Sequence, residues 1–251
     1  MFYQPQFQIS DDALTGFEAL LRWDRPGHGP LPPAAFIAVA EETDLILELG
    51  NWVFDAVARQ VCQWIAEGLA VVPVAINVSA RQCLGHGLVQ AVAATLENHR
   101  IPPHLLEIEI TETTAMKDVE HVESLLRQLK ALGVRIALDD FGTGYSSLSH
   151  LRRFPITMLK IDQSFVRGAT HSADDAAIAR ATIALAHNLG LKVIAEGVET
   201  ESQRAFLDEQ ACDIAQGFYY GHPDTAAAAR VRLATRQHRR GADAAGPGSR
   251  P

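Results

Sequence analysis

The sequence predicts an α/β protein folded as a TIM-type (β/α)8 barrel, and three observations predict it. Strand-like runs alternate with apolar residues at helical spacing, the order that a mostly parallel sheet requires. The runs amount to roughly eight strands, the number that closes such a barrel. The chain of 251 residues fits one undivided barrel, and no internal repeat suggests another architecture.

In order, Phe2 to Phe7 and Leu14 to Trp23 predict two strands about a Ser10-Asp11-Asp12 turn. Pro32-Pro33 opens a helix through Phe36, Ile37, Val39 and Ala40, since proline suits a first helical turn. Trp52 to Ile65 has helical spacing, with Gly68 as its stop. A strand at Val71 to Val78 and a helix near Leu88 to Glu97 follow. Regular units come next: strand Leu105 to Thr111 with helix Val119 to Leu132, then strand Val134 to Asp139 with a short helix near Ser146 to Leu151. Met158 to Ile161 leads to a helix at Asp174 to Leu189, Lys192 to Ala195 to one at Glu201 to Glu209, and Asp213 to Ala215 to one around Thr225 to Leu233. The domain is expected over residues 1–235. Residues 236–251, rich in Gly, Ala, Pro and Arg, are expected to form a disordered tail.

Composition narrows the function. A net charge of −8 argues against affinity for polymeric nucleic acid, which needs clustered Lys and Arg. No apolar run is long enough for a membrane segment, and Met1-Phe2-Tyr3-Gln4-Pro5 lacks the pattern of a signal peptide. Cys62, Cys83 and Cys212 are odd in number and far apart, which suits a reducing, cytoplasmic compartment. The ten histidines show no zinc spacing, and Ser146-Ser147 has no positioned histidine to make a nucleophile.

Polar side chains at strand ends carry the functional signal. Glu18, Asn77, Glu109, Glu112, Asp139, Asp140, Lys160, Asp162 and Glu196 each end or interrupt a hydrophobic run. Charge is costly in a core unless it is paired or binds a cation. Taken singly, each residue is explained by a cap, a surface position or an ion pair; in series they describe one hard-cation site built by several strands. Strand alternation supports this, because Glu18 and Leu20, Asn77 and Ser79, and Lys160 and Asp162 share faces opposite wholly apolar ones. Two ambiguities stay open. Glu107 and Glu109 fall on the same face, with Glu109 preferred as nearer the strand end. Asp139 and Asp140 point oppositely unless the chain turns there, as Gly142 and Gly144 would permit.

The segments Tyr3-Gln4-Pro5, Glu18-Ala19-Leu20-Leu21-Arg22-Trp23, Asn77-Val78-Ser79-Ala80, Glu109-Ile110-Thr111-Glu112, Asp139-Asp140-Phe141-Gly142-Thr143-Gly144, Leu159-Lys160-Ile161-Asp162, Ala195-Glu196-Gly197-Val198-Glu199-Thr200 and Gln216-Gly217-Phe218-Tyr219 resemble, in order and spacing, the EAL-domain cyclic-di-GMP phosphodiesterases. The resemblance runs from Tyr3 to about Pro223 and implies a modified TIM barrel with one antiparallel early strand. It implies a first cation on Glu18, Asn77, Glu109 and Asp139, and a second on Asp139 and Asp140, with Glu196 either a further ligand or the general base. Lys160 would orient the attacking water, and Glu112 would anchor the loop from Asp140 to Ser147. Gln4, Leu20, Arg22, Asp162 and Gln216 match positions near the substrate. Glu199 reads better as a cap for the helix at Glu201 than as a substrate contact.

The implied reaction is hydrolysis of cyclic di-GMP to linear 5′-pGpG. Carboxylate and amide donors favour two Mg2+ or Mn2+ ions over Zn2+, and Ca2+ is expected to bind without supporting turnover. A homodimer and upstream sensory or GGDEF domains are the partners that the resemblance implies. Two alternatives compete: a catalytically silent receptor for the same dinucleotide, and an unrelated metal-dependent barrel acting on carbon acids. Silent receptors usually lack a ligand or carry a broken Asp139-Asp140 loop, and this sequence retains both.

Overall fold

The computed structural model describes residues 1–25, 27, 29–144 and 148–244. The chain opens with strands β1 (Phe2–Gln8) and β2 (Leu14–Leu20). A small hairpin, β3 (Trp23–Arg25) with β4 (Gly29–Leu31), precedes helices α1 (Pro33–Glu42) and α2 (Leu45–Ala66). Then come β5 (Val74–Asn77), α3 (Ala80–Leu84), α4 (Leu88–His99), β6 (Leu106–Thr111), α5 (Glu112–Lys117), α6 (Val119–Ala131), β7 (Arg135–Phe141) and α7 (Leu148–Leu151). The last third runs β8 (Met158–Ile161), α8 (Gln163–Gly168), α9 (Ala173–Asn188), β9 (Lys192–Ala195), α10 (Glu201–Glu209), β10 (Ile214–Gln216) and α11 (Ala226–Ala244).

Eight strands close a barrel in the order β1-β10-β9-β8-β7-β6-β5-β2. β1 is antiparallel to both of its neighbours, and the other neighbouring pairs are parallel. Strand β2 stops at Leu20 rather than Trp23, because the chain leaves the barrel there for the β3–β4 hairpin. Short helices α3, α5 and α8, not evident from apolar spacing, start directly after their strands. Ser79, Thr111 and Asp162 cap them by accepting backbone N–H groups left open in the first turn. Each such start turns the chain sharply at the C-terminal mouth of the barrel.

Two apolar layers hold the strands. The main core lies between barrel and helices, where Trp64 is fully buried against the edge of Tyr3 and the tilted ring of Phe17. A much smaller cluster, Ala137, Met158, Ile194 and Ile214, fills the inside of the barrel. Lys160, two residues beyond Met158 on the same strand face, therefore sits directly above an apolar floor.

The C-terminal helix continues past the expected domain end at residue 235. Leu233 and Ala229 are buried, Arg230 pairs with Glu67, and Arg236 and Gln237 donate to the carbonyls of Ala70 and Gly68 at 3.1 and 3.4 Å. These contacts and the helix-favouring Ala, Arg and Gln of the segment carry α11 to Ala244, into what the sequence read as a tail. Residues 245–251, and Tyr145 to Ser147 of the expected short helix and loop, lie outside the described residues. Among the described residues no helix is long and apolar enough to cross a membrane.

Candidate active site at the barrel mouth

Lys160 is the centre of the site. Its ammonium, with no solvent exposure, lies 2.7 Å from Glu196, 2.8 Å from Glu109, 3.1 Å from Asp139 and 3.8 Å from Glu18. Asp162, which shares a strand face with Lys160, is not among these partners; they come from neighbouring strands and from Glu196, just past the end of β9. Burial pulls the Lys160 pKa down, but the attraction of Glu109, Glu18, Glu196 and Asp139 outweighs it and holds the ammonium well above its ordinary value.

One ammonium does not balance this cluster. Burial raises the Glu109 carboxyl well above its usual range, against the pull of Lys160, and raises Glu196 to about 8. Burial, with Asp139 and Asp162 nearby, raises Asp140 to about 6. The excess of negative charge is what a divalent cation would offset. Oxygens of Asp139, Asp140 and Glu196 lie within 4.8 Å of one another, and Glu109 Oε1 is buried without a hydrogen-bond partner. This all-oxygen donor set fits Mg2+ or Mn2+.

Backbone geometry settles the two ambiguities. Asp140 has φ 54°, in the left-handed region, and the β7–β8 register shifts between Leu138 and Phe141. The irregular residue brings Asp140 round to the same side as Asp139, as two successive residues of a regular strand cannot do. Asp139 Oδ1 also accepts the Asp140 N–H at 2.8 Å. Glu107, in turn, faces the opposite end of the barrel, in a cavity with Arg135 and Lys192. Burial raises its pKa to about 7 despite Arg135. Glu109, one pleat higher, is the carboxylate that meets Lys160.

A second layer fixes Glu18. Its Oε1 accepts Asn77 Nδ2 at 2.6 Å and its Oε2 accepts Gln216 Nε2 at 2.5 Å. The Asn77 nitrogen is thus occupied, and its carbonyl oxygen is the atom left to act as a ligand.

A cavity of about 410 Å³ opens beside this cluster, lined by Glu18, Asp139 and Glu196 and by Gln4, Leu20, Arg22 and Gln216. Asp162 does not line it; its carboxylate caps α8 by accepting the Ser164 N–H at 2.9 Å and lies next to Asp140. Glu199 lines the cavity and pairs with Arg167 at 3.5 Å, while Thr200 takes the capping position expected of Glu199. Gln163, Arg167 and Phe218 line the cavity as well, though the sequence assigned none of them a role. Adjacency was the available signal: Gln163 follows Asp162, Phe218 follows Gln216-Gly217, and Arg167 shares the helix face of Gln163.

The sequence matches the EAL domain family over residues 1–223. It is 46% identical over 223 residues to the bifunctional diguanylate cyclase/cyclic di-GMP phosphodiesterase MucR of Pseudomonas aeruginosa, covering 89% of this chain and 33% of that protein. It is 40% identical over 223 residues to the cyclic di-GMP phosphodiesterase NbdA of the same organism, covering 89% of this chain and 28% of that one. The chain thus spans about a third of the length of these curated relatives. Among solved structures it is similar to the PaMucR phosphodiesterase in complex with c-di-GMP, with a TM-score of 0.87, 46% identity and coverage of 90% and 91% of the two chains. An EAL domain protein from Listeria monocytogenes matches with a TM-score of 0.82, 30% identity and coverage of 93% and 92%.

Proposed function

This chain belongs to the EAL domain family, and on that premise we propose that it hydrolyses cyclic di-GMP to 5′-pGpG in a reaction supported by two divalent cations. The observation that carries the reading is the Lys160 ammonium held between Glu109, Asp139 and Glu196, beside an open cavity that Asp139 and Glu196 line. That arrangement is intact, so the silent-receptor alternative gains no support from a missing group.

In this proposal Glu18, Asn77, Glu109 and Asp139 would hold one cation, and Asp139 and Asp140 the other, with Glu196 at its edge. When bound, the pair would acidify a water and offset charge on the phosphate and the leaving oxygen. Lys160, whose three N–H donors hold Glu109, Asp139 and Glu196, orients that water through these carboxylates, and Glu196, fixed by Lys160 through Oε1, accepts its proton. Arg22, at the cavity wall, offers a guanidinium to a nonbridging phosphate oxygen. Gln4, Leu20 and Gln216 shape the same wall, and Glu112 holds the loop that follows Asp140. The proposal includes action as a homodimer in the bacterial cytoplasm, with sensory or GGDEF segments as partners.

The test is chromatographic detection of pGpG from cyclic di-GMP with Mg2+, Mn2+ or Ca2+. Mg2+- or Mn2+-dependent product supports the enzyme. Tight binding without product in every metal selects the receptor instead.

A further inference from the structure

We propose that Gln6 is a positioning residue for the Glu18 carboxylate, acting through the side-chain amide of Gln216. The inference rests on the reading above that Glu18 holds a divalent cation. Gln6 lies on the antiparallel strand β1, paired in register with Gln216 on one side and Gly16 on the other. Its Nε2 donates to Gln216 Oε1 at 2.9 Å. The other end of the Gln216 amide donates to Glu18 Oε2 at 2.5 Å and to Gln4 Oε1 at 3.2 Å. Gln6, Gln216 and Glu18 are all buried.

A side-chain amide has one accepting end and one donating end. Glu18 and Gln4 accept from the Gln216 NH2, which turns the Gln216 oxygen toward the Gln6 NH2. The flipped amide would set oxygen against carboxylate oxygen, and without the Gln6 donor the Gln216 oxygen would be left unmet in a low-dielectric interior. Gln6 therefore braces the orientation in which Gln216 holds one oxygen of Glu18 while Asn77 holds the other.

Strand β2 provides the room for this relay. A Cβ at Gly16 would sit 2.3 Å from Gln6 Oε1, and its next contacts, at 3.4 and 3.5 Å, are ordinary. The backbone there is outside the left-handed region, so glycine is needed for space, not for conformation. A methyl group at residue 16 would displace the Gln6 amide from the opposite side to any change in Gln6 itself.

The experiment measures Mn2+ affinity by electron paramagnetic resonance of the free ion, on the folded chain, alongside kcat and KM for cyclic di-GMP. Gln6→Met, which keeps the side chain's length and removes its donor, is expected to weaken Mn2+ binding about ten- to a hundredfold, the usual effect of removing a partner of a metal ligand. kcat should fall with KM within about threefold, since uniform binding is untouched. Gly16→Ala should reproduce both effects, and the double variant should be no worse than the poorer single within about twofold, since both act on one contact. A space-filling role for Gln6 predicts instead that Gln6→Met binds Mn2+ as the parent does. That result, with Glu18→Ala losing one of the two bound Mn2+ ions, overturns the role of Gln6 and leaves the cation reading standing. Unchanged Mn2+ binding in Glu18→Ala overturns the cation reading itself.

Discussion

The Glu112 carboxylate accepts the backbone N–H of Gly142 at 2.8 Å, tying the first turn of α5 to the loop that follows Asp140. Gly142 has φ 102°, and a Cβ on Gly144 would lie 2.9 Å from Glu112 Oε1, so the loop is fitted closely around a buried carboxylate. Glu112→Ala leaves the Gly142 N–H without this partner, at a cost of about 1–3 kcal/mol. Turnover should fall about tenfold or more while calorimetry with cyclic di-GMP and Ca2+ shows binding retained. Loss of binding together with turnover would make Glu112 a site ligand or a fold residue instead.

Lys160→Met keeps the side chain's length but leaves Glu109, Asp139 and Glu196 without their shared cation. Removing one partner of a buried ionic cluster costs about 3–5 kcal/mol, so the metal-free variant should unfold at distinctly lower denaturant. Turnover should drop about a thousandfold, as expected when the base that takes the water's proton loses the group that fixes it. Retention of a tenth of the activity would remove Lys160 from that role.

Cation exchange probes geometry alone. Ca2+ takes more ligands at longer distances than Mg2+, so it should hold cyclic di-GMP in place and support turnover at no more than about a hundredth of the Mg2+ rate. Equal rates in the two metals would contradict the proposed clamp.

Relief of charge repulsion predicts that deleting a carboxylate stabilises the metal-free protein, but the hydrogen bonds make the sign depend on which one is deleted. Glu18→Ala strands the amides of Asn77 and Gln216, each unmet donor costing about 1–3 kcal/mol, so it should be destabilising. Asp140→Asn removes a charge crowded by Asp139 and Asp162, at a left-handed position that asparagine tolerates. It should melt at or above the parent temperature. Differential scanning calorimetry without metal orders the three proteins, and both variants should lose turnover.

Burial pushes the thiols of Cys83 and Cys212 up to about 12. At pH 8 their thiolate fraction is about one part in ten thousand, so a disulfide reagent should leave both unlabelled until the protein unfolds. Cys62 is only partly buried and should label in the native state, slowly, because burial raises its pKa as well. Rapid native labelling of two thiols would show that the core around α3 or β10 opens.

The strands, and the presence of polar groups at their ends, were legible because alternation is a local property written every second residue. The starts of α3, α5 and α8 were not, because their lengths leave no helical period and their cap residues lie at or within two residues of a strand end. Residues 236–244 looked like tail because composition does not report docking; Arg236 and Gln237 meet Ala70 and Gly68 only after α11 has packed its buried Leu233.

Sequence by itself determined the barrel, the family and the set of acidic and amide residues available to one mouth. Only the tertiary structure decided how they are partnered. Lys160 meets Glu109, Asp139 and Glu196 rather than Asp162, and Gln216, taken as a substrate contact, also braces Glu18. Glu107 and Glu109, indistinguishable by period, part to opposite ends of the barrel. The physical reason is that strand alternation specifies a face, whereas partnership depends on the stagger between neighbouring strands and on single backbone angles such as that of Asp140, which arise when the closed barrel sets residues dozens of positions apart side by side.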